Sequence, residues 1–129
     1  MNIDREKDIE ILKKLFGAKK IYYAGWDLEN EFPEYIPSGK PWRTHKIDAR
    51  PVPYFNTNIG QAFGVVEKMD EDGFEFTLMK SKTNYRAMFV NQGARKSGGG
   101  IDKNPATAIC LASLAAKKAV EINNGNLHT

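Results

Sequence analysis

The sequence is poor in the residues that most often carry catalysis, metal binding or covalent cross-links. Its 129 residues include one cysteine, Cys110, and two histidines, His45 and His128. A single cysteine excludes an internal disulfide and a zinc site built on cysteines. No stretch approaches the roughly 18 apolar residues of a membrane span, and the charged start MNIDREKDIE lacks the apolar region of a signal peptide. These absences predict a cytoplasmic protein with no membrane partner and no metal site.

Signatures of the common enzyme classes are also missing. The chain contains no HExxH, no GxGxxG and no nucleophile elbow. His45 alone forms neither a triad nor a metal site, and the acids Asp70, Glu71 and Asp72 are more simply a charged turn than a metal cluster. We therefore predict a protein that is not an enzyme and needs no cofactor. The net charge of +3 permits an anionic ligand without requiring nucleic acid.

The chain length predicts one domain spanning 1–129, because 129 residues can bury a core without disulfides or bound metals. Apolar spacing predicts three helices and, by alternation, a β-hairpin; prolines and glycines predict the loops between them. The predicted segments are a helix at 4–16, a short strand at 21–24, a long aromatic and Pro-rich loop at 25–54, a helix at 57–69, a hairpin at 74–90, a Gly-rich basic loop at 91–103, a helix at 105–122 and a tail at 123–129.

The last helix has the strongest local signals. Asn104 is a good N-cap and Pro105 suits the first helical position. Small residues recur along one face, including Ala108 and Ala112, and would let a sheet approach closely. Cys110 lies among them and is expected to be a buried, unreactive side chain. The sequence Asn-Asn-Gly at 123–125 predicts the end of this helix.

Two segments together resemble a known family. TNIGQAFGVVEKMDEDGFEFTL at 57–78 is similar to the N-I-x-x-A-W-x-V-V-E-K-M helix and following strand of phage ABA sandwich domain proteins. PATAICLASLAAKKA at 105–119 is similar to the family's closing helix, A-P-x-A-I-C-L-A-A-L-K-A. The chain departs from the pattern at Phe63, where the family has tryptophan, and at 94–104, ARKSGGGIDKN, where the family has a short acidic stretch.

The resemblance implies a small phage or prophage accessory protein in the cytoplasm of a bacterial host. It also implies an α+β fold of the α/β/α-sandwich type, in which helices pack on both sides of a small antiparallel sheet. The long Pro-rich loop would be inserted after the first helix. The family has no settled activity, so the resemblance assigns no functional residue in this chain.

The best local candidate for a ligand site is the basic, glycine-rich stretch before the last helix. Glycines let backbone N–H groups turn toward an anion, and arginine can grip a phosphate with two hydrogen bonds. The spacing is not that of a Walker A motif, and a solvated loop without a ligand is the alternative. The candidate residues are Arg95, Lys96, Ser97, Gly98, Gly99 and Gly100.

A second candidate is KPWRTHKIDAR at 40–50, where basic groups alternate with an aromatic residue. Trp42 could stack on a base while Arg43 and Arg50 hold its phosphate. The alternative is a basic surface loop with Trp42 in the core. Double-stranded RNA is an unlikely partner, because Lys103 is the only lysine at the start of the last helix, where such domains grip phosphate.

These observations leave two main hypotheses of different classes and, as a third, an enzyme that acts on a nucleotide or peptide through residues that the sequence does not identify. The first is a non-enzymatic phage accessory protein that binds a small anionic, nucleotide-like ligand and thereby sequesters a host defence signal. The alternative is a protein-interaction module that inhibits or recruits a host or phage protein, anchored by aromatic residues of the long loop. A homo-oligomer is compatible with either hypothesis.

Overall fold

A computed structural model describes residues 3–24 and 32–126, without the side chains of residues 3, 4, 23, 24, 32, 42, 43, 46 and 122–126. The chain divides into two compact units, Met1–Tyr54 and Phe55–Thr129. Chain length alone predicted a single domain. The division arises because each unit has its own three-stranded antiparallel sheet and its own buried residues. No helix in the described ranges has both the length and the apolarity to cross a membrane.

The first unit combines one long helix with short elements. Its sheet has the order β1-β2-β3, and both strand pairs are antiparallel. Its elements are α1 (Ile3–Phe16), β1 (Tyr22–Ala24), β2 (Phe32–Tyr35), α2 (Trp42–His45), a 3-10 turn (Lys46–Asp48) and β3 (Arg50–Pro51). The prediction of a loop over 25–54 is therefore wrong for most of 32–51, and residues 25–31 lie outside the described part of the chain.

Proline did not prevent strand formation in the first unit because the pairing uses its carbonyl. Pro33 lies in the central strand and has no N–H to donate, yet its carbonyl accepts a hydrogen bond from the Val52 nitrogen at 3.0 Å. Strand β2 contains only four residues, so few ladder bonds depend on the missing donor. The proline-rich composition thus shortened the strands without abolishing them.

A polar clamp fixes the start of α1 within this unit. The Arg5 guanidinium donates to Asp8 Oδ2 at 2.7 Å and to the carbonyl oxygens of Val52 and Pro53 at 2.8 and 3.1 Å. It also lies 3.8 Å from the centre of the Tyr54 ring. Asp8 is fully buried. One arginine thereby joins the helix to residues 52–54, 47 or more positions away in the sequence.

The second unit contains two helices and a longer sheet in the order β4-β5-β6, again antiparallel throughout. Its elements are α3 (Ile59–Glu71), β4 (Glu75–Lys80), β5 (Tyr85–Asn91), β6 (Lys96–Asp102) and α4 (Pro105–Asn126). Asn58 caps α3 by accepting from the Gln61 nitrogen at 3.0 Å, and Asn104 caps α4 by accepting from the Ala106 nitrogen at 2.8 Å. The α+β class predicted from the sequence is confirmed.

Two predicted boundaries in the second unit are wrong. The Asn-Asn-Gly sequence at 123–125 does not end α4, which continues to Asn126; asparagine and glycine tolerate a left-handed cap but do not impose one. The predicted Gly-rich loop at 91–103 is largely strand β6, paired with β5 from Asn91↔Lys96 to Tyr85↔Asp102. Glycine weakens a strand, so contacts outside β6 must stabilise the extended conformation of β6.

Those contacts come from the close approach of α4. A Cβ atom built on Gly98 would overlap the backbone of Ala116, and one on Gly100 would lie 2.5 Å from the Ala108 carbonyl oxygen and 2.7 Å from the Ala112 nitrogen. Glycine on the strand and alanine on the helix let the two backbones touch. The predicted close approach of a sheet to the small-residue face of α4 is confirmed. Cys110 of the same helix is fully buried, as expected.

The two faces of this second sheet differ sharply. Phe76, Phe89 and Gly98 are register partners and share the face toward α4. The Phe63 ring of α3 makes an edge contact with the Phe76 ring, with 6.2 Å between the ring centroids. Within this unit, therefore, both helices lie on that face. The opposite side, here named the outer face, is formed by the alternate residues Glu75, Thr77, Met79, Arg86, Met88, Val90, Ser97, Gly99 and Ile101.

Candidate functional site

The Gly-rich stretch, predicted to bind an anion, pairs with β5 and packs against α4 instead. Gly98 and Gly100 pack against α4, and Gly99 lies on the outer face. Because the backbone pairs with β5, these residues do not form a curled loop of inward N–H groups. Arg95 occupies the preceding turn, exposed and at a φ of 56°, and leads into Lys96 and Ser97 at the start of β6. Anion binding by Arg95, Lys96 and Ser97 stays a prediction.

The second predicted stretch lies in the first unit. Arg50 is exposed on β3, and its guanidinium donates to the nearby carbonyl oxygens of Ala49 and Ile47 at 3.0 and 3.4 Å. The side chains of Trp42 and Arg43 fall outside the described residues, although their backbone forms the start of α2. The two candidate stretches belong to different units.

A cleft of about 430 Å³ lies in the first unit, between the end of α1 and the turn that follows β2. We name it the α1 cleft. Gly17, at a φ of 74°, ends the helix, and Gly39, at a φ of 76°, closes the turn by donating to the Ile36 carbonyl at 2.9 Å. The residues that line the cleft are Leu12, Phe16, Gly17, Ala18, Lys19, Tyr35, Ile36, Pro37, Ser38 and Gly39.

The α1 cleft has an apolar floor and aromatic side chains in its lining. Leu12 and Ile36 are almost fully buried and form the base. Phe16, at the end of α1, is 41% exposed. Tyr35 is half-buried, and its position is set by the pairing of Tyr35 with Arg50 across β2 and β3. These side chains offer a flat ligand group an apolar surface.

Lys19 is the only lysine in the described lining of the cleft, and two more lysines line a small cavity beside it. A small adjoining cavity of about 30 Å³ shares Lys19 and Gly39 with the cleft and adds Lys20 and Lys40. Among the described residues that line either cavity there is no carboxylate. Uncompensated lysines around a concave, low-dielectric surface create a positive potential that attracts an anion. Lys40 comes from the predicted stretch at 40–50, so part of that candidate lies at this site.

The remaining residues of the cleft were missed from the sequence. Lys19 lies two residues after Gly17, the glycine that ends α1, and a basic residue there is usually only part of a solvated helix end. Residues 35–39 lie about 20 positions further on, and no periodicity links them to Lys19. Only tertiary structure joins the two segments. The paired lysines at 19 and 20 are the one local signal that could have drawn attention to this end of the helix.

The side chains that line the cleft can bind an anion. Lysines hold an anion as point charges, and aromatic rings stack on planar groups. Within the described ranges, no group of three histidine, cysteine, aspartate or glutamate side chains could hold a metal ion. The arrangement can therefore retain and orient a ligand that carries both a negative charge and an apolar or planar part.

Comparison with known proteins supports the phage resemblance. The sequence profile of the phage ABA sandwich domain matches residues 14–114, which confirms the relationship predicted from the two helical motifs. The fold is similar to the 2.0 Å crystal structure of a phage protein from Bacillus cereus ATCC 14579, with a TM-score of 0.64 and 21% sequence identity over 92% of this chain and 90% of that chain. No curated protein matches this chain.

Proposed function

Since this chain belongs to the phage ABA sandwich domain family, we propose that it is a non-enzymatic phage accessory protein that binds a small anionic, nucleotide-like ligand in the α1 cleft. The observation that carries this proposal is an apolar, aromatic cleft with Lys19 in its lining, two further lysines in the adjoining small cavity, and no carboxylate among the described lining residues of either. Its volume of about 430 Å³ falls within the usual range of small-molecule sites.

The geometry suggests how such a ligand would bind. A planar base would lie against Phe16 or Tyr35 and cover the apolar floor at Leu12. Its phosphate would lie toward Lys19 and Lys40, at the side where the two cavities meet. Because these lysines are exposed, their attraction would weaken with added salt. Binding should therefore be tighter at low ionic strength.

The biological consequence of the proposal is sequestration. A protein that binds a nucleotide without altering it lowers the free concentration of that nucleotide in the host cytoplasm. If the nucleotide is a defence signal, its receptor receives less of it. This role needs tight binding and slow release, but it needs no catalytic group.

The test is a thermal-shift and calorimetry panel on the purified protein with AMP, cyclic AMP, ADP-ribose, cyclic dinucleotides and inorganic phosphate. One nucleotide class should stabilise the protein by about 2.7 kcal/mol at a hundredfold excess over its dissociation constant. The double variant Lys19→Ala/Lys40→Ala should lose this gain. Lys82→Ala removes an equally exposed lysine from the β4–β5 turn and should keep it. Chromatography should recover the nucleotide unchanged.

Three results would contradict the proposal at different points. A panel without any shift would exclude these nucleotides as ligands. A shift that survives in Lys19→Ala/Lys40→Ala but disappears in Arg95→Ala/Lys96→Ala would move the site to the β5–β6 turn. A chemically altered nucleotide after incubation would show that the protein is an enzyme.

A further inference from the structure

The outer face of the second sheet carries large apolar side chains where a solvated sheet face normally carries polar ones. Met79, Met88 and Ile101 are 51%, 36% and 52% exposed. The strand register brings them together, since Met79 and Ile101 flank Arg86, and Met88 is the next outward residue along β5. Shallow cavities of about 400 and 390 Å³ adjoin Arg86 and Ile101. The three apolar side chains therefore lie around Arg86 on one part of the outer face.

Gly99 gives this surface a gap that packing against α4 does not require. A Cβ atom on Gly98 or Gly100 would collide with the helix backbone, whereas one on Gly99 would make only ordinary contacts, at 3.6 Å to the Ala87 oxygen and 3.7 Å to Met88 Cγ. A side chain would therefore fit at this position. Glycine inside a strand weakens it and often marks close approach of another molecule. Here the gap lies in the middle of the edge strand β6, beside Met88 of the central strand.

The charges around the gap are mainly positive. Arg86 lies on the outer face, is exposed and has no ion-pair partner among the described residues. Lys82 and Arg95 are exposed in the turns at the two ends of the sheet. The single carboxylate of the face, Glu75, occupies a far corner and accepts a hydrogen bond from Gln92 at 3.2 Å. A complementary surface would be apolar at its centre and acidic at its rim.

We propose that the outer face docks a protein partner whose apolar side chain fills the gap at Gly99 while flanking carboxylates pair with Arg86 and the rim cations. Flexible methionines suit such a surface because they adapt to the side chain that enters. A second copy of this chain is a poorer occupant, because it would bring the same positive rim against itself. This docking surface belongs to the second unit and does not depend on a ligand in the α1 cleft.

A displayed library of random 12-residue peptides provides a probe of this chemistry. Peptides selected on the wild-type protein should contain an apolar residue flanked by aspartate or glutamate. Synthesised singly, they should bind at least tenfold more weakly to Arg86→Glu and to Gly99→Thr. Lys118→Glu makes the same change of charge on an exposed position of α4 and should leave their affinity unchanged. Gly99→Thr should melt at or above the wild-type temperature, which separates lost docking from lost folding.

Other outcomes would overturn the proposal. Failure to enrich acidic-apolar peptides, or binding that is indifferent to both Arg86→Glu and Gly99→Thr, would show that the face does not dock such a partner. Sedimentation that reveals a wild-type dimer, dissociated by Gly99→Thr or Arg86→Glu, would assign the face to a second copy instead. If Lys118→Glu weakened peptide binding as much as Arg86→Glu, the loss of affinity would come from the change in net charge and not from the outer face.

Discussion

The two units of this protein solve the packing of a small sheet in opposite ways. The first uses strands of two to four residues, turns closed by glycines with positive φ, and a buried arginine–aspartate pair. The second uses strands of six or seven residues pressed directly onto a helix backbone. Short elements leave a concave space between them, the α1 cleft. The close-packed second unit has only shallow cavities, which lie on the outer face of its sheet.

The largest effect should follow from placing a side chain between the layers of the second unit. Gly98→Val would force its side chain into the Ala116 backbone, which cannot move aside without displacing α4. We expect a loss of about 3 kcal/mol or more in the free energy of unfolding. Hydrogen exchange should show reduced protection of β5, β6 and α4. Wild-type stability in this variant would mean that the helix and strand are further apart than described.

The first unit should be most sensitive at its polar clamp. Arg5→Met keeps much of the side-chain volume but removes the guanidinium that lies 2.7 Å from the buried Asp8 carboxylate. Removing one partner of a buried ion pair costs about 3 kcal/mol or more, and urea unfolding should detect the loss. Protection in α1 and in residues 52–54 should fall.

A double variant separates the clamp from the packing around it. Arg5→Met/Asp8→Leu replaces the ion pair by apolar groups and should recover much of the lost stability. If the double variant is as unstable as Arg5→Met alone, the hydrogen bonds of Arg5 to Val52 and Pro53, rather than the buried charge, hold the helix start in place.

The elements that could be predicted are those whose conformation depends on residues nearby in the sequence. Asn58 and Asn104 act on N–H groups two or three residues away, and the hairpin alternation is visible within a few positions. Strand β6 could not be predicted, because KSGGGID has low strand propensity and its conformation is favoured by a helix that follows it in the sequence. The glycines stand out in the sequence, but composition alone favours an anion site, whereas Gly98 and Gly100 are needed for the close approach of α4.

A smaller effect should come from the local cap of α3. Asn58→Ala removes the acceptor for the Gln61 nitrogen and should reduce the free energy of unfolding by about 1 kcal/mol. Asn58→Asp keeps the acceptor and should remain near wild type. Chemical denaturation measures both. A loss well above 1 kcal/mol for Asn58→Ala would show that the side chain does more than cap the helix.

The smallest effect should be a gain. Gly99→Thr adds a β-branched side chain to a strand position with room for it, and we expect an increase of about 0.5 kcal/mol in the free energy of unfolding. Comparison with Gly98→Val tests whether a side chain is excluded at position 98 but accepted at position 99. Destabilisation by Gly99→Thr would show that the outer face is as constrained as the face toward α4.

The candidate site illustrates the same limit on prediction. Lys40 was within a predicted stretch because basic and aromatic residues alternate there. Lys19, Phe16 and Tyr35 were not predicted, since a cleft is a property of two segments that meet and each segment alone is ordinary. The α1 cleft depends on how Gly17 and Gly39 turn the backbone, and those turns become informative only when both are seen together.

The burial of Cys110 has a practical consequence for separating the two units. It is the only thiol of the chain and belongs to the second unit, while both tryptophans, Trp26 and Trp42, belong to the first by position. A thiol reagent should label the native protein only as fast as α4 opens, and indole fluorescence originates solely from residues before Tyr54. Cys110 labelling and tryptophan fluorescence thus report on the second and the first unit separately, without any added label. Together they can show whether the two units unfold in one step or in two.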